Sequence, residues 1–501
     1  MSAPTTTSPV ALVIHGHFYQ PPREDPWTGE VPEQPSAAPF HDWNERITAE
    51  CYGPNTTVGV AGADGDFVVN LFEHLSFNVG PTLLSWLESR HPEVYARIVA
   101  ADRATGRAIA QAYGHAILPL CNERDLRTHV RWGIADFRHR FGREPHGMWL
   151  PETAVSDAVL AVLAEEGIRF TILAPGQIAT TRSLGTNEDE WSPHGIGAHE
   201  GLGPIEPDDA ATAALDISRA LRWRHPTDGE LGVDLVVYDG ALAHALAFSR
   251  PTSEDIVAAA LARAGAAGGL VAAATDGETF GHHHKGAEHD VAHALTVGAP
   301  ANGVATPRLV DLLDVWPPTH EAQVRTSAWS CAHGLGRWTT DCGCSTGGEQ
   351  GWNQAWRAPL RAAFDLLRDW GITVVERRGP SLLRDPWAAR DAYLGVLLGA
   401  ATWDRFAAEH VVGDHHEAGL LLDAQRNALL MYTSCGWFFN DLAGIETVQV
   451  LRYAARAIDL YEQLGEHPPV EDLLAVLADA QSNDPAHGDG RRLWFQEVVT
   501  R

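Results

Sequence analysis

The residues best suited to chemistry lie in one run, Asp276-Gly277-Glu278-Thr279-Phe280-Gly281-His282-His283-His284. Two carboxylates and three imidazoles follow an apolar stretch, 269–274, that reads as a buried strand. Such groups desolvate at high cost in a core. On a glycine-punctuated loop at a strand end they can move protons and hold a polar substrate. A second acid has the same setting in Gly147-Met148-Trp149-Leu150-Pro151-Glu152. Two carboxylates on separate strand ends, with aromatic rings beside them, fit glycosidic-bond chemistry.

Each residue also has a plainer reading. Glu152 could cap a helix starting near Ser156. As a nucleophile it must stay ionised, which calls for hydrogen-bond donors; His15, His17 or His115 could supply them. Asp276-Gly277 is a common turn pair, yet the following Glu278 and His282 argue against a simple hairpin turn. As an acid, Asp276 must hold its proton near neutral pH, which burial and a nearby ionised Glu152 would favour. Glu278 competes for the acid role, or binds a sugar hydroxyl, or orients Asp276.

His15 and His17 alternate along a strand and so share a face. They could bind sugar hydroxyls, bind a metal, or form a hydrogen-bonded core pair. A His-x-His pair with an Asp could hold a divalent cation that activates water. That defines the alternative activity, a metal-dependent carbohydrate deacetylase or amidohydrolase. Such an enzyme has no need of the Glu in Trp-Leu-Pro-Glu. Three consecutive histidines cannot all face one site, so His282 and His283 are taken as substrate contacts. Cys331, Cys342 and Cys344 cluster with His333, but C-x-H and C-x-C fit no standard zinc spacing. They are read as reduced thiols lining a loop; neither metal nor cofactor is expected.

Positioning these groups requires a scaffold. Apolar runs at 10–14, 75–79, 108–112, 147–150, 168–173, 233–238 and 270–274 read as strands, with amphipathic stretches such as 81–101, 123–141 and 156–166 between them. Strand–helix alternation implies an α/β fold with a parallel sheet. Seven strands suggest an incomplete (β/α) barrel, whose sites lie at the C-terminal strand ends. His15, His17, Asn78, His115, Glu152, Asp239 and Asp276 all fall there. Residues 177–226 read as an inserted loop. Beyond 324 the pattern becomes helical, with apolar stripes at 358–369, 386–409, 417–432 and 445–464. The expected organisation is a catalytic region over 1–323, a Cys/Trp/Gly-rich loop over 324–357 and an α-helical domain over 358–501.

Composition narrows the partners. The 501 residues are 45% hydrophobic, enough for a large core, and carry a net charge of -28. A surface this acidic repels phosphate backbones, so nucleic acid is not an expected partner. No apolar run approaches membrane length, and 10–14 is too short for a secretory core, so the reading is cytoplasmic with no membrane partner. Six cysteines do not form a disulfide framework. Seventeen tryptophans, several in polar Gly-rich context, tilt the reading toward a carbohydrate. Nothing in the sequence gives the oligomeric state.

The chain resembles glycoside hydrolase family 57, in the branch with an additional C-terminal helical domain of unassigned function. The resemblance rests on His15-Gly16-His17-Phe18-Tyr19-Gln20-Pro21, Gly114-His115-Ala116-Ile117-Leu118-Pro119-Leu120, Trp149-Leu150-Pro151-Glu152 and Asp276-Gly277-Glu278-Thr279-Phe280-Gly281-His282, in family order. Ser327-Ala328-Trp329 is similar to a fifth, Trp-containing region. The resemblance implies an incomplete seven-stranded barrel and retention at α-linked glucans, with Glu152 as nucleophile and Asp276 as general acid/base. Hydrolysis (α-amylase), 4-α-glucanotransfer and branching all remain open. Expected substrate contacts are His15, His17, Asn78, His115, Trp149, Asp239, Glu278, His282, His283 and Trp329, for an oligo- or polysaccharide. Three departures stand out: His283 and His284 where many members carry aromatics, an insertion-like Phe18-Tyr19, and the Cys/His cluster. A catalytically inactive glycan-binding protein is a further reading, which the presence of both acids disfavours.

Overall fold

A computed structural model describes residues 9–63, 65–184, 191–194 and 215–499. The chain divides into two units: Met1–Gln20, Gln34–Gln111 and Arg140–Ser330 form the first, and Pro21–Glu33, Ala112–His139 and Cys331–Arg501 the second. Two segments expected in the first region, 21–33 and 112–139, thus belong with the C-terminal one.

All seven expected strands form in the first unit: β1 Val10–Phe18, β2 Ser76–Val79, β3 Ala110–Gln111, β4 Met148–Trp149, β5 Phe170–Leu173, β6 Gly232–Val237 and β7 Gly269–Asp276. Strand β1 is buried from Ala11 onward, as expected of a parallel strand covered on both faces. It pairs in parallel with β7 from Val10 to His17 and with β2 from His15 to Phe18. Strands β3 and β4 pair in parallel, as do β5 and β6. These ladders lie in separate sheets, and the described residues contain no closed barrel. Isolated bridges, Phe77 with Ala108 and Gly147 with Phe170, are what link neighbouring ladders. The physical reason is length: β3 and β4 have two residues each, too few to carry a continuous ladder.

Residues 177–226 do not form a loop throughout. Ile178–Ser183, Ser192–Pro193 and Leu221–Arg224 are strands that join β5, β6 and His320–Val324 in a six-stranded mixed sheet. Strand Ile178–Ser183 is Thr-rich and only partly buried, so it gave no apolar run. The rest of that expected insertion, 185–190 and 195–214, lies outside the described residues.

One core of the first unit gathers Val13, Trp149, Phe170, Val236, Tyr238 and Ala272, with Trp329 packed against it. Helices Pro81–Arg90 and Pro92–Thr105 replace the single stretch expected at 81–101. The division falls at Pro92, which has no N–H to continue a helix.

The second unit is helical. Its long elements are Arg357–Leu382, Pro386–Leu397, Trp403–His410, His415–Leu430, Ile445–Gln463 and Val470–Leu477. Asp385, Thr402 and Asp414 accept backbone N–H bonds at three of their N-termini. None of the described helices is long and apolar enough to cross a membrane. A buried ion pair explains why the 112–139 segment belongs to this unit. The Arg390 guanidinium donates to Asp125 at 2.7 Å, to Gln425 at 3.0 Å and to Thr128 at 2.7 Å. Removing one partner of such a pair strands a buried charge. Asp125→Ala is therefore expected to lower stability by about 3–5 kcal/mol in chemical denaturation. Glu376→Ala, which breaks an exposed pair with Arg124, should cost under about 1 kcal/mol. Equal losses in the two variants would contradict this ranking.

Candidate active site

The parallel register sets His15 beside Ala274 and Ser76, and His17 beside Asp276 and Asn78. His15 Nδ1 lies 2.9 Å from Ser76 Oγ, and His15 Nε2 lies 3.0 Å from Asn78 Oδ1. Asn78 Nδ2 reaches His17 Nδ1 at 2.9 Å and Gln111 Oε1 at 2.7 Å. One proton arrangement satisfies this chain: His15 Nε2–H donates to the Asn78 carbonyl, and the Asn78 amide donates to His17 Nδ1 and to Gln111. That leaves both imidazoles neutral. Burial agrees with it, lowering His15 and His17 to about 3. Both rings stack on Trp149, with centroids 4.9 Å away in each case. Trp149 in turn meets Trp329 edge-on at 5.1 Å.

Glu152 owes its position to an uncommon backbone. It has φ 57° and ψ 22°, and Thr153 follows with φ 48°. Left-handed conformation in two successive non-glycine residues costs roughly 1–2 kcal/mol each and needs support from elsewhere. Segment 327–330 supplies it. Trp329 N–H donates to the Glu152 carbonyl at 3.0 Å and to Thr153 Oγ1 at 3.1 Å. Gln177 Nε2 donates to the carbonyls of Thr153 and Ser327. The side chains of the same segment reach the carboxylate: Trp329 Nε1 donates to Glu152 Oε2 at 3.1 Å, and Ser330 Oγ at 2.6 Å. These donors favour the ionised form. The sequence reading looked to His15, His17 or His115 for them; His15 is engaged by Ser76 and Asn78 instead, and Ser330 was missed.

The opposite tendency holds at Asp276 and Glu278. Burial pushes the Asp276 carboxyl well above the usual carboxylate range, and the charges of Glu278 and Glu152 push it further. Its side chain still reaches solvent, which tempers the desolvation part and leaves the like charges as the firmer cause. Glu278 is buried and raised to about 7, chiefly by desolvation. It accepts from Tyr19 N–H at 3.0 Å and from Tyr52 O–H at 2.5 Å. Burial raises the Tyr238 phenol, and the charge of nearby Asp276 raises it further.

The loop after β7 needs its glycine. A Cβ on Gly277 would sit 2.2 Å from Phe18 Cδ1 in a fully buried ring. The short helices of 43–55 brace the loop from outside: Asn55 Nδ2 donates to the Phe280 carbonyl, and Cys51 Sγ to that of Gly277. Glu50 pairs with His282 Nδ1 at 2.5 Å. No sequence motif singled out Tyr52, Glu50 or Asn55. Their register against the loop is a tertiary fact, although an Asn or acid in so short a helical segment is a visible hint.

The three histidines diverge. His282 turns to Glu50 and edge-on to Trp43, His283 is exposed, and His284 Nε2 donates to the Ala247 carbonyl. Asp239 caps helix Gly240–Phe248 through Leu242 N–H and pairs with Arg263 at 2.8 Å. Both its oxygens serve structure. His115 lies in the second unit, 2.6 Å from Ser434 Oγ. Also in that unit, the ligand atoms of Cys331, His333, Cys342 and Cys344 all lie within 4.8 Å of one another, so the cluster read from the sequence is also a cluster in space.

Comparison with known proteins gives the arrangement a context. The profile described as "Glycosyl hydrolase family 57" matches residues 10–292, and "Domain of unknown function (DUF3536)" matches 352–501. Alpha-amylase 1 of Dictyoglomus thermophilum is 28% identical over 92 residues, which is 18% of this chain and 13% of that protein. The chain thus spans a small part of that relative. An exo-type maltose-forming amylase from Pyrococcus sp. ST04 shares the fold with a TM-score of 0.68 at 14% identity, over 93% of this chain and 82% of that one. A branching enzyme from Pyrococcus horikoshii follows at 0.54 and 14%, over 94% of each chain.

The raised carboxyl of Glu278 makes a stability prediction. The unfolded chain releases this proton near pH 4.5 and the folded chain only near 7. Between those values the folded state binds more protons, so the group's contribution falls as pH rises. Glu278→Gln keeps an acceptor for Tyr19 and Tyr52 and removes the charge. Its stability relative to wild type should therefore improve across that window by about 3 kcal/mol. Denaturant midpoints that differ by the same amount at pH 4.5 and pH 8 would refute this.

Proposed function

Because the chain belongs to glycosyl hydrolase family 57, we propose that it is a retaining glycosidase or transglycosidase of α-linked glucans, with Glu152 as nucleophile and Asp276 as general acid/base. The observation that carries the proposal is the contrast between the two carboxyls. Glu152 receives two hydrogen-bond donors on one oxygen, which suits an ionised nucleophile. Asp276 lies among like charges that favour its protonated form, which suits an acid. Environments that push two carboxyls apart in this way assign their roles. The structurally similar amylase and branching enzyme support an α-glucan as substrate.

In the first step the Glu152 carboxylate attacks the anomeric carbon while Asp276 protonates the departing oxygen, leaving a glycosyl ester. In the second, Asp276, now ionised, takes a proton from water or from an incoming sugar hydroxyl. That oxygen displaces Glu152, whose carboxylate is restored. Water gives hydrolysis, and a sugar gives transfer or branching. Trp329, only partly buried, offers indole surface for a sugar ring, and the fully buried Trp149 backs it edge-on. The neutral His17 and the acid Glu278 suit hydroxyl contacts at the same strand ends, and exposed His283 suits one at the rim.

The test is product analysis on α-linked oligosaccharides with wild type, Glu152→Gln and Asp276→Asn, with and without chelator. Each variant should lose about 10²–10⁴-fold or more in rate. The first-formed product followed by proton NMR should be the α-anomer. A β-anomer appearing first, or chelator-sensitive activity that survives Glu152→Gln, would overturn the proposal. A separate check concerns pH. Removing the Glu278 charge stabilises the ionised form of Asp276, so the alkaline limb of kcat/KM in Glu278→Gln should move to lower pH. A limb that stays in place would exclude Glu278 as a modulator of the acid.

A further inference from the structure

Outside this site, in the second unit, three thiols and an imidazole converge. Cys344 Sγ is 3.7 Å from Cys331 Sγ and 3.5 Å from His333 Nδ1, and Cys331 Sγ is 4.0 Å from Cys342 Sγ. All four ligand atoms lie within 4.8 Å of one another. None of these cysteines is in a disulfide. Four ligands arranged tetrahedrally around one zinc ion, with Zn–S of about 2.3 Å and Zn–N of about 2.0 Å, have S···S edges of about 3.8 Å and an S···N edge of about 3.5 Å. The Cys344–Cys331 and Cys344–His333 separations match those edges, Cys331–Cys342 is slightly longer, and the whole group is close enough to contract onto one ion. A four-iron cluster puts each thiolate on a different iron and would hold the sulfurs farther apart.

Charge supplies a second, independent observation. Arg357 and Arg337 are buried, and among the described residues neither pairs with a carboxylate. Arg357 Nη1 donates to the Cys344 carbonyl at 3.0 Å; the backbone N–H of Arg337 donates to Cys331 Sγ at 3.4 Å, and its guanidinium to the Phe438 carbonyl. Two buried, unpaired guanidiniums would cost several kcal/mol each. Three thiolates around a divalent ion leave one net negative charge, which compensates for part of that cost. Sequence spacing concealed the site because each half is a one-residue chelate, Cys-x-His and Cys-x-Cys. Gly343 makes the second half possible: its φ of 84° turns the chain so that both flanking thiols face one point.

We propose that Cys331, His333, Cys342 and Cys344 bind one zinc ion in a closed, four-ligand structural site. The ion ties the two ends of the 331–344 loop together, and Arg357 and Arg337 extend the tie to the carbonyls of Phe438 and Phe439. A site with four protein ligands has no open position for substrate, so its contribution is to folding rather than to chemistry.

Elemental analysis of the full chain, purified untagged in metal-free buffer, should give one zinc per chain. Replacing that zinc with cobalt(II) should produce the visible d–d bands and near-ultraviolet thiolate charge transfer of a tetrahedral sulfur-rich site. His333 is exposed, so His333→Ala should fold; it should bind zinc more weakly by more than the roughly 100-fold that loss of an outer partner causes. Cys342→Ser with Cys344→Ser should lose zinc altogether. If the cysteine variants fail to fold, the wild-type cobalt spectrum and the His333→Ala affinity still decide the matter. Folded wild type that binds well under one zinc even when zinc is supplied, cobalt spectra without thiolate transitions, or stoichiometric iron in place of zinc would each overturn the assignment. None of these readouts depends on glucan activity, so the site stands or falls separately from the proposed reaction.

Discussion

The parallel register of β1 against β2 and β7 is the constraint on which the candidate site depends. It puts two histidines on one face of a buried strand, Ser76 and Asn78 on one side, and Asp276 at the end of the other. A shift of one residue would turn both imidazoles to the opposite face. With the register fixed, Asn78 lies close to both rings and to Gln111 on the next strand. A buried polar network of this kind is stabilising only when its members are satisfied together. Neutral imidazoles meet that requirement at low electrostatic cost and present flat surfaces to Trp149.

Electrostatics then divides the acids. The donors from segment 327–330 converge on Glu152, and none of the hydrogen bonds that steady the loop after β7 brings a cation to Asp276. Glu278 is the intermediate case: two hydroxyl- or amide-type donors hold it, yet burial keeps it raised to about 7. The site therefore holds like charges close together in the free protein. This arrangement sacrifices stability to raise the Asp276 and Glu278 carboxyls above the usual carboxylate range.

Legibility in the sequence followed the strength of local signals. The seven strands were visible because parallel strands buried on both faces are unbroken apolar runs. The mixed-sheet strands Ile178–Ser183 and Leu221–Arg224 were not, because alternating Thr and Arg on partly buried strands look like loop. Helix Glu123–Phe141 was legible from its periodicity, but its membership of the second unit rests on Asp125 meeting Arg390 across 265 residues, which no local pattern encodes. Glu152 and Asp276 were identifiable from residue type and strand-end position. Ser330 on Glu152, Tyr52 on Glu278 and Gln111 on Asn78 were not, because each is ordinary in its own segment. The Cys/His group was visible as a cluster; the close approach of its four side chains was not, because one-residue spacings match no standard motif.

The left-handed turn at Glu152 and Thr153 also has a consequence in time. Its support comes from Trp329 and Ser330, with Ser330 lying 178 residues downstream. At the pace of synthesis, about 5–20 residues per second, the turn waits roughly ten to thirty seconds for the segment that holds it. Until then the turn lacks the Trp329 N–H that holds its backbone, and the carboxylate lacks the donors that orient it. The nascent chain thus leaves the Glu152 carboxylate without its orienting donors until most of the first unit has been made.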